Sequence, residues 1–251
     1  MTVPGGSAGG PGRRDIPGPA RSTAVFLAAL LAAAPAFAAG PRILDFGGLS
    51  WTVRRTAGPS APGPNIFRDS EDQVRTDDAG RLVLSVRKRE ETWTACEIIA
   101  RKATGYGTYR FDLDGGARDL DPGIVFGFFT WDPNPGLHNR EIDIELSRWG
   151  DPGGPDGWFT VQPYERPGNQ DSFRLPPASS YRFEMRWEPG SVSFSCRAEG
   201  REVRAWTFRG EVPDPGKARI RFNLWLFRGA PPAGPGPYEV VVSDFEFVPG
   251  K

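Results

Sequence analysis

The feature that most constrains this chain is a period of two. Tyr109, Phe111 and Leu113 alternate with Arg110 and Asp112, and Tyr181, Phe183, Met185 and Trp187 alternate with Arg182, Glu184 and Arg186. Successive side chains of an extended chain point to opposite faces, so each segment reads as a strand with one apolar and one charged face. The same alternation recurs over 82–86, 192–196, 220–226 and 238–247, with Pro152-Gly153-Gly154-Pro155 and the Gly/Pro-rich stretch 231–237 as turns between strands. No segment carries the spacing of an amphipathic helix. Many short strands without helical crossovers predict an all-β fold of two packed antiparallel sheets, a β-sandwich. The stretch 124–129 is apolar on both faces, which places it centrally, with both faces covered or one lying under a ligand.

The chain has 251 residues, a length that one sandwich domain over 40–251 and a leader over 1–39 account for. The leader reading rests on Arg13, Arg14 and Arg21, an apolar run over 24–34, and Ala36-Phe37-Ala38. That order is the pattern of a secretory signal peptide cleaved near Ala38 or Ala39, and the run meets Pro35 well short of the ~20 apolar residues of a spanning helix. The expectation is a secreted or periplasmic protein, free of the membrane once the leader is removed.

Lys plus Arg and Asp plus Glu both total 31, so no net field draws the chain to nucleic acid. Eight Trp and 17 Phe supply a core and leave aromatic surface on which sugars can stack. Cys96 and Cys196 both lie on apolar faces, and the pattern leaves a disulfide and two buried thiols equally open.

The segment Glu141-Ile142-Asp143-Ile144-Glu145-Leu146 alternates acid and aliphatic. In a strand the three carboxylates stand in a row on one face, above a buried aliphatic face. A solvated strand face would mix signs, because like charges at this spacing repel, and a calcium site would gather oxygens from several loops rather than along one strand. Clustered acids of this kind mark catalysis. The outer pair have Cα atoms about 13 Å apart, and two long side chains leaning inward on a concave sheet can approach the ~5 to 5.5 Å at which one carboxylate attacks an anomeric carbon while the other protonates the leaving oxygen. Asp143, between them, favours keeping a proton in the cluster. By the same alternation Asn139 shares the face of Glu141 and is expected to contact the sugar. Asn223 and Trp225 share a face opposite Phe222 and Leu224, with Trp225 as a sugar platform or a core residue.

With Gly105-Tyr106-Gly107-Thr108-Tyr109 ahead of the apolar strand and Asn223-Leu224-Trp225 late in the chain, the acidic strand resembles that of glycoside hydrolase family 16, which includes lichenases, laminarinases and xyloglucan transglycosylases. The resemblance spans most of 40–251 and implies a concanavalin-like jelly roll. It further implies Glu141 as nucleophile, Asp143 as its assistant and Glu145 as acid/base, with the unbulged spacing of lichenases and xyloglucan enzymes. Gln162 and Tyr164, following Trp158 and Thr160, look like substrate-contacting positions. Glu97 resembles a cleft acid, although the arginine often found two residues later is Ile99 here. Asp244 looks like a ligand of a structural calcium, and no cofactor is expected for catalysis.

The sequence therefore predicts a monomeric, endo-acting retaining β-glycanase, with a β-glucan as the expected polysaccharide. Transglycosylation would use the same residues. A noncatalytic carbohydrate-binding protein on the same sandwich is the alternative from another class.

Overall fold

A computed structural model of the chain describes residues 40–250. The leader expected over 1–39 lies outside the described residues. The strands are β1 (Ile43–Phe46), β2 (Leu49–Val53), β3 (Val74–Thr76), β4 (Leu82–Arg89), β5 (Thr92–Thr94), β6 (Cys96–Ala100), β7 (Gly107–Asp114) and β8 (Ile124–Trp131). They continue with β9 (Ile142–Leu146), β10 (Gly157–Val161), β11 (Gln170–Phe173), β12 (Ser180–Glu188), β13 (Ser191–Ala198), β14 (Arg201–Phe208), β15 (Arg219–Leu226) and β16 (Tyr238–Pro249). Helical structure among the described residues is limited to short 3-10 turns such as Gly115–Asp119 and Pro135–Arg140.

The strands form two antiparallel sheets. One runs in the order β1-β2-β6-β15-β8-β9-β10-β11, and the other in the order β14-β13-β12-β7-β16-β4-β3 with β5 added on β4. The predicted β-sandwich with the expected jelly-roll architecture is what the chain adopts.

The core lies between the sheets and follows the period of two on both sides. The first sheet contributes Cys96 and Ile98, Phe222 and Leu224, Phe126 and Phe128, and Ile142, Ile144 and Leu146, all buried. The second contributes Tyr109, Phe111, Phe183, Met185, Trp187 and Phe194. Phe111 joins the layers: it stacks on Phe183 within its own sheet at 5.2 Å between centroids and meets Phe128 and Phe222 of the other sheet at 5.1 and 5.5 Å. Such aromatic pairs add to area burial and pin the sheets in one packing. Cys96 and Cys196 are both free, buried thiols, and burial pushes each up to about 12. Of the two states the sequence left open, the thiols are the one observed.

The strand read over 238–247 is interrupted. Between Val242 and Asp244 the register of β16 against β7 shifts by a β-bulge, so the inward series Val240, Val242 resumes at Phe245 and turns Asp244 outward.

Candidate active site

The acids of β9 lie where the alternation puts them. Ile142, Ile144 and Leu146 enter the core while Asp143 and Glu145 face the opposite side of the sheet, and Glu141 precedes the strand with extended backbone, φ −85° and ψ 129°. The pairing of β9 with β8 and β10 is regular, so the acid row is unbulged. Strand registers fix what stands beside each acid. Asn223, Gly127, Glu145 and Trp158 form one cross-strand row, and Arg221, Phe129, Asp143 and Thr160 the next. All three acids line a cleft of about 350 Å³ together with Glu97, Arg221, Asn223, Trp225, Phe129 and Trp131, and its wall is completed by Arg54 and the loop Ser60-Ala61-Pro62.

Burial is the main influence on the row. It raises the pKa of all three carboxyls, that of Asp143 to about 7. The negative charges of Asp143 and Glu145 push Glu141 up further, and Asp143 does the same to Glu145. Three interactions oppose this: Gln162 Nε2 donates to Asp143 Oδ2 at 3.0 Å and favours its ionised form, a hydrogen bond with Glu141 does the same for Asp143 while raising Glu141, and the cation of Arg221 works weakly toward an ionised Glu141. The consequence is chemical. Three carboxyls this crowded and desolvated do not all carry charge near neutral pH, so the row retains at least one proton.

Glu97 is fully buried at the cleft floor, with Oε2 taking Arg54 and Oε1 taking Arg221, each at 2.8 Å. Both oxygens are occupied by arginines, so it organises the cleft wall rather than presenting a free carboxylate to sugar. Arg221 pairs across the strands with Ile99. The guanidinium absent at position 99 thus arrives from the neighbouring strand. Arg54 also donates to Ser60 Oγ at 2.8 Å and to the Ala61 carbonyl at 2.9 Å, tying the loop of the cleft wall to Glu97.

Asn223 lies in the cleft, 3 % exposed, and its Oδ1 has no hydrogen-bond partner among the described residues. A Cβ at Gly127 would meet that oxygen at 2.6 Å. The missing side chain at 127 therefore makes the gap in which Asn223 reaches toward the row of Glu145. Trp225 also faces the cleft but is only 8 % exposed, packed with Phe67, Ala95 and Val125 and flanked by Trp149 and Phe227. It belongs to a small cluster on the cleft side of the sheet, and little of the ring reaches the cleft. Trp131, at the end of β8, is partly exposed and also lines the cleft.

Two positions expected in the cleft, Asn139 and Tyr164, fall elsewhere, and Asp244 lies far from it. Asn139 is not in a strand: His138, Asn139 and Arg140 all have positive φ in the turn Pro135–Arg140, and the Asn139 amide donates to the Asp132 carbonyl at 2.9 Å. The alternation that was to carry it into the cleft stops at Glu141. Tyr164 lies beyond the end of β10, 57 % exposed, while Gln162 reaches the site through Asp143. Asp244 stands on the outer face of the second sheet beside Asp112, which Arg182 grips through two hydrogen bonds of 2.8 and 2.7 Å, and beside Glu246, which takes Arg110. The charges around Asp244 are matched to arginines, and no group of three or more metal-binding side chains occurs among the described residues, so these side chains do not fit a calcium ion. Phe129, Trp131, Arg54 and Arg221 were missed by sequence reasoning. Arg221 was within its reach, since it stands two residues before Asn223 on the same face of β15.

Neither the protein-family models nor the curated proteins contain a match to this sequence. Solved structures do match. The β-glucanase of Bacillus licheniformis superposes with a TM-score of 0.62 at 19 % identity, over 81 % of this chain and 93 % of that one. An immunostimulatory antigen and pseudo β-1,3-glucanase of Mycobacterium tuberculosis gives 0.62 at 21 %, over 80 % and 91 %. A glycosyl hydrolase family 16 protein of Mycobacterium smegmatis gives 0.57 at 16 %, over 77 % and 89 %. At these identities the likeness is one of fold, and it extends over nearly the whole of each neighbour. With its two sheets laid over those structures from end to end, the chain shares the jelly-roll fold of these β-glucanase and glycosyl hydrolase structures.

Proposed function

We propose that the protein is an exported, endo-acting retaining β-glycanase that cleaves a β-glucan by double displacement. The observation that carries the reading is the acid row itself: a buried Asp143 between two part-buried glutamates, all three with raised pKa, on one face of β9 and the extended residue before it, at the floor of an open cleft. In this reading Glu141 attacks the anomeric carbon and forms a glycosyl-enzyme ester while Glu145 passes its proton to the departing oxygen. Glu145, now ionised, takes a proton from water, and the water oxygen displaces Glu141 to give a product of retained configuration. Asp143, held by Gln162, tunes the pair. The β-glucanases among the fold neighbours support the substrate class, and the apolar run ahead of Ala36-Phe37-Ala38 supports export.

One fold neighbour is described as a pseudo β-1,3-glucanase, which keeps a noncatalytic sugar-binding role as the rival. The complete triplet argues for chemistry. An aryl β-glycoside, whose leaving group scarcely needs an acid, separates the two glutamates. In Glu145→Ala the glycosyl-enzyme still forms, and azide attacks it to give a β-azide. In Glu141→Ala azide fills the vacated space and displaces the leaving group directly, giving the α-azide. The opposite products would exchange the two roles. Hydrolysis with inversion by the parent would reject double displacement, and sugar binding without release of reducing ends would select the rival. A sugar acceptor outcompeting water in the second step would identify a transglycosylase.

A further inference from the structure

The cleft-bearing sheet is divided by charge. On one side of β8 stands the acid row of Glu141, Asp143 and Glu145. On the other, β15, β6, β2 and β1 contain only two acids, Glu97 and Asp45. The registers line up the cations of that half. Residues two apart share a face, so Arg219 stands with Arg221 on the cleft side of β15. Arg101 follows Glu97 and Ile99 on that side of β6: Ala100 enters the core, and the Arg101 N–H donates to the Ser50 carbonyl of β2 at 3.0 Å. Arg219 pairs with Trp131 of β8, and Arg221 pairs with Phe129 on one side and Ile99 on the other. Extending the β15–β6 register by two residues sets Arg101 opposite Arg219.

These cations outnumber their counter-ions. Glu97 serves both Arg54 and Arg221, each at 2.8 Å, and Asp45 accepts from the Ser50 hydroxyl near the sheet edge. Among the described residues neither Arg101 nor Arg219 has a side-chain hydrogen bond or an ion pair. The acid row does not use the surplus, since none of its three carboxyls forms an ion pair with an arginine. Arg221 has donors to spare: Nη1 holds Glu97, Nε is buried without a partner, and Nη2 makes no hydrogen bond among the described residues. Burial depresses its pKa, Glu97 opposes this, and the like charges of Arg219 and Arg54 depress it further. Like charges crowded on one sheet face destabilise it unless an anion joins them. The Arg221 guanidinium lies 5.4 Å from the ring centroid of Trp131, and Arg219 is the cross-strand neighbour of the same ring. A sugar unit resting against Trp131 in the cleft therefore brings its substituents within reach of both.

We propose that Arg219, Arg221 and Arg101 bind the acidic substituents, carboxylate or sulfate, of an anionic β-glycan whose charged sugar units lie over β15 and β6. This rests on the glycanase reading for the bond cut over β9, and it narrows the substrate to a β-glucan that carries charge. A guanidinium offers parallel N–H donors that match the two oxygens of a carboxylate or a sulfate ester, a fit that a neutral hydroxyl does not make. The chain as a whole has no net charge, so the attraction comes from this strip of the cleft and not from a field of the whole protein.

The test is isothermal titration of the chain carrying Glu141→Gln, so that nothing is consumed, with β-glucan oligosaccharides of one length in three forms: unmodified, oxidised to the carboxylate at C6, and sulfated at C6. A charged form is expected to bind roughly tenfold more tightly than the neutral one, with the advantage shrinking as salt is raised. Adding Arg219→Gln should cut that preference roughly threefold, and Arg219→Lys should restore most of it. Arg101→Gln, at an exposed position, acts in the same direction and carries the test should Arg219→Gln not fold. Tighter binding of either charged form upholds the proposal, and the tighter of the two names the substituent. Equal affinity for all three forms, or a preference untouched by Arg219→Gln and Arg101→Gln, would overturn it. So would equal binding of α-linked polygalacturonate, which reduces the effect to charge alone. Release of reducing ends by the parent chain is measured separately. A preference for the charged forms in a chain that cuts no β-glycan upholds the anion site and refutes the glycanase reading, and cleavage of neutral glucan without that preference does the converse.

Discussion

Asp143→Asn separates what the acid row does for the reaction from what it does to the fold. Asp143 is 3 % exposed, and burial raises its pKa from the ordinary 3.8 to about 7. A carboxyl that holds its proton more tightly in the folded chain contributes stability that is complete below its unfolded pKa and is lost as the pH rises through its folded one. At about 1.36 kcal/mol per pH unit, the rise in Asp143 corresponds to about 4 kcal/mol lost between pH 3.8 and about 7. Asparagine keeps an acceptor for Gln162 Nε2, now at 3.0 Å from Asp143 Oδ2, and does not titrate. The variant and the parent should therefore unfold with similar free energies at about pH 4, and the variant should be the more stable by up to ~4 kcal/mol at about pH 8, while its hydrolysis is slowed. Relief of the repulsion on Glu141 and Glu145 acts in the same direction. Urea denaturation followed by tryptophan fluorescence across that range gives the difference directly. A stability difference that does not change with pH, or a parent more stable than the variant at the alkaline end, would refute the raised pKa.

Trp225→Ala should cost about 3 to 5 kcal/mol, because the ring is packed against Phe67, Ala95 and Val125. Trp131→Ala, at the half-exposed cleft rim, should instead weaken oligosaccharide binding while leaving the melting temperature nearly unchanged, and isothermal titration with differential scanning calorimetry distinguishes the two. Gly127→Ala places a methyl 2.6 Å from Asn223 Oδ1, so displacement of that side chain should lower kcat/KM by roughly tenfold, about the worth of one hydrogen bond. Cys96 and Cys196, buried with pKa about 12, should resist a thiol-specific reagent in the native chain and both react after unfolding in denaturant.

The acid row and the sandwich were legible because both are properties of single strands. Alternation at i and i+2 is set by local backbone geometry, so Glu141, Asp143 and Glu145 share a face whatever β9 pairs with, and β7 and β12 declare an apolar face wherever they lie. The same local rule failed where the backbone left the strand. Positive φ at His138, Asn139 and Arg140 carried Asn139 out of the cleft, the end of β10 at Val161 left Tyr164 on the surface, and the bulge after Val242 turned Asp244 toward the arginines of the outer face. What only the tertiary structure decided was the partnership between strands. Arg54 and Glu97 are 43 residues apart and Glu97 and Arg221 are 124 apart, and they meet because β2, β6 and β15 are neighbours in one sheet. The burial of Trp225 likewise depends on Phe67 and Ala95, brought over it by a distant loop. A strand carries its own pleat in its sequence, but its register against another strand is a collective result of core packing, and the cleft's charge pattern is written in those registers.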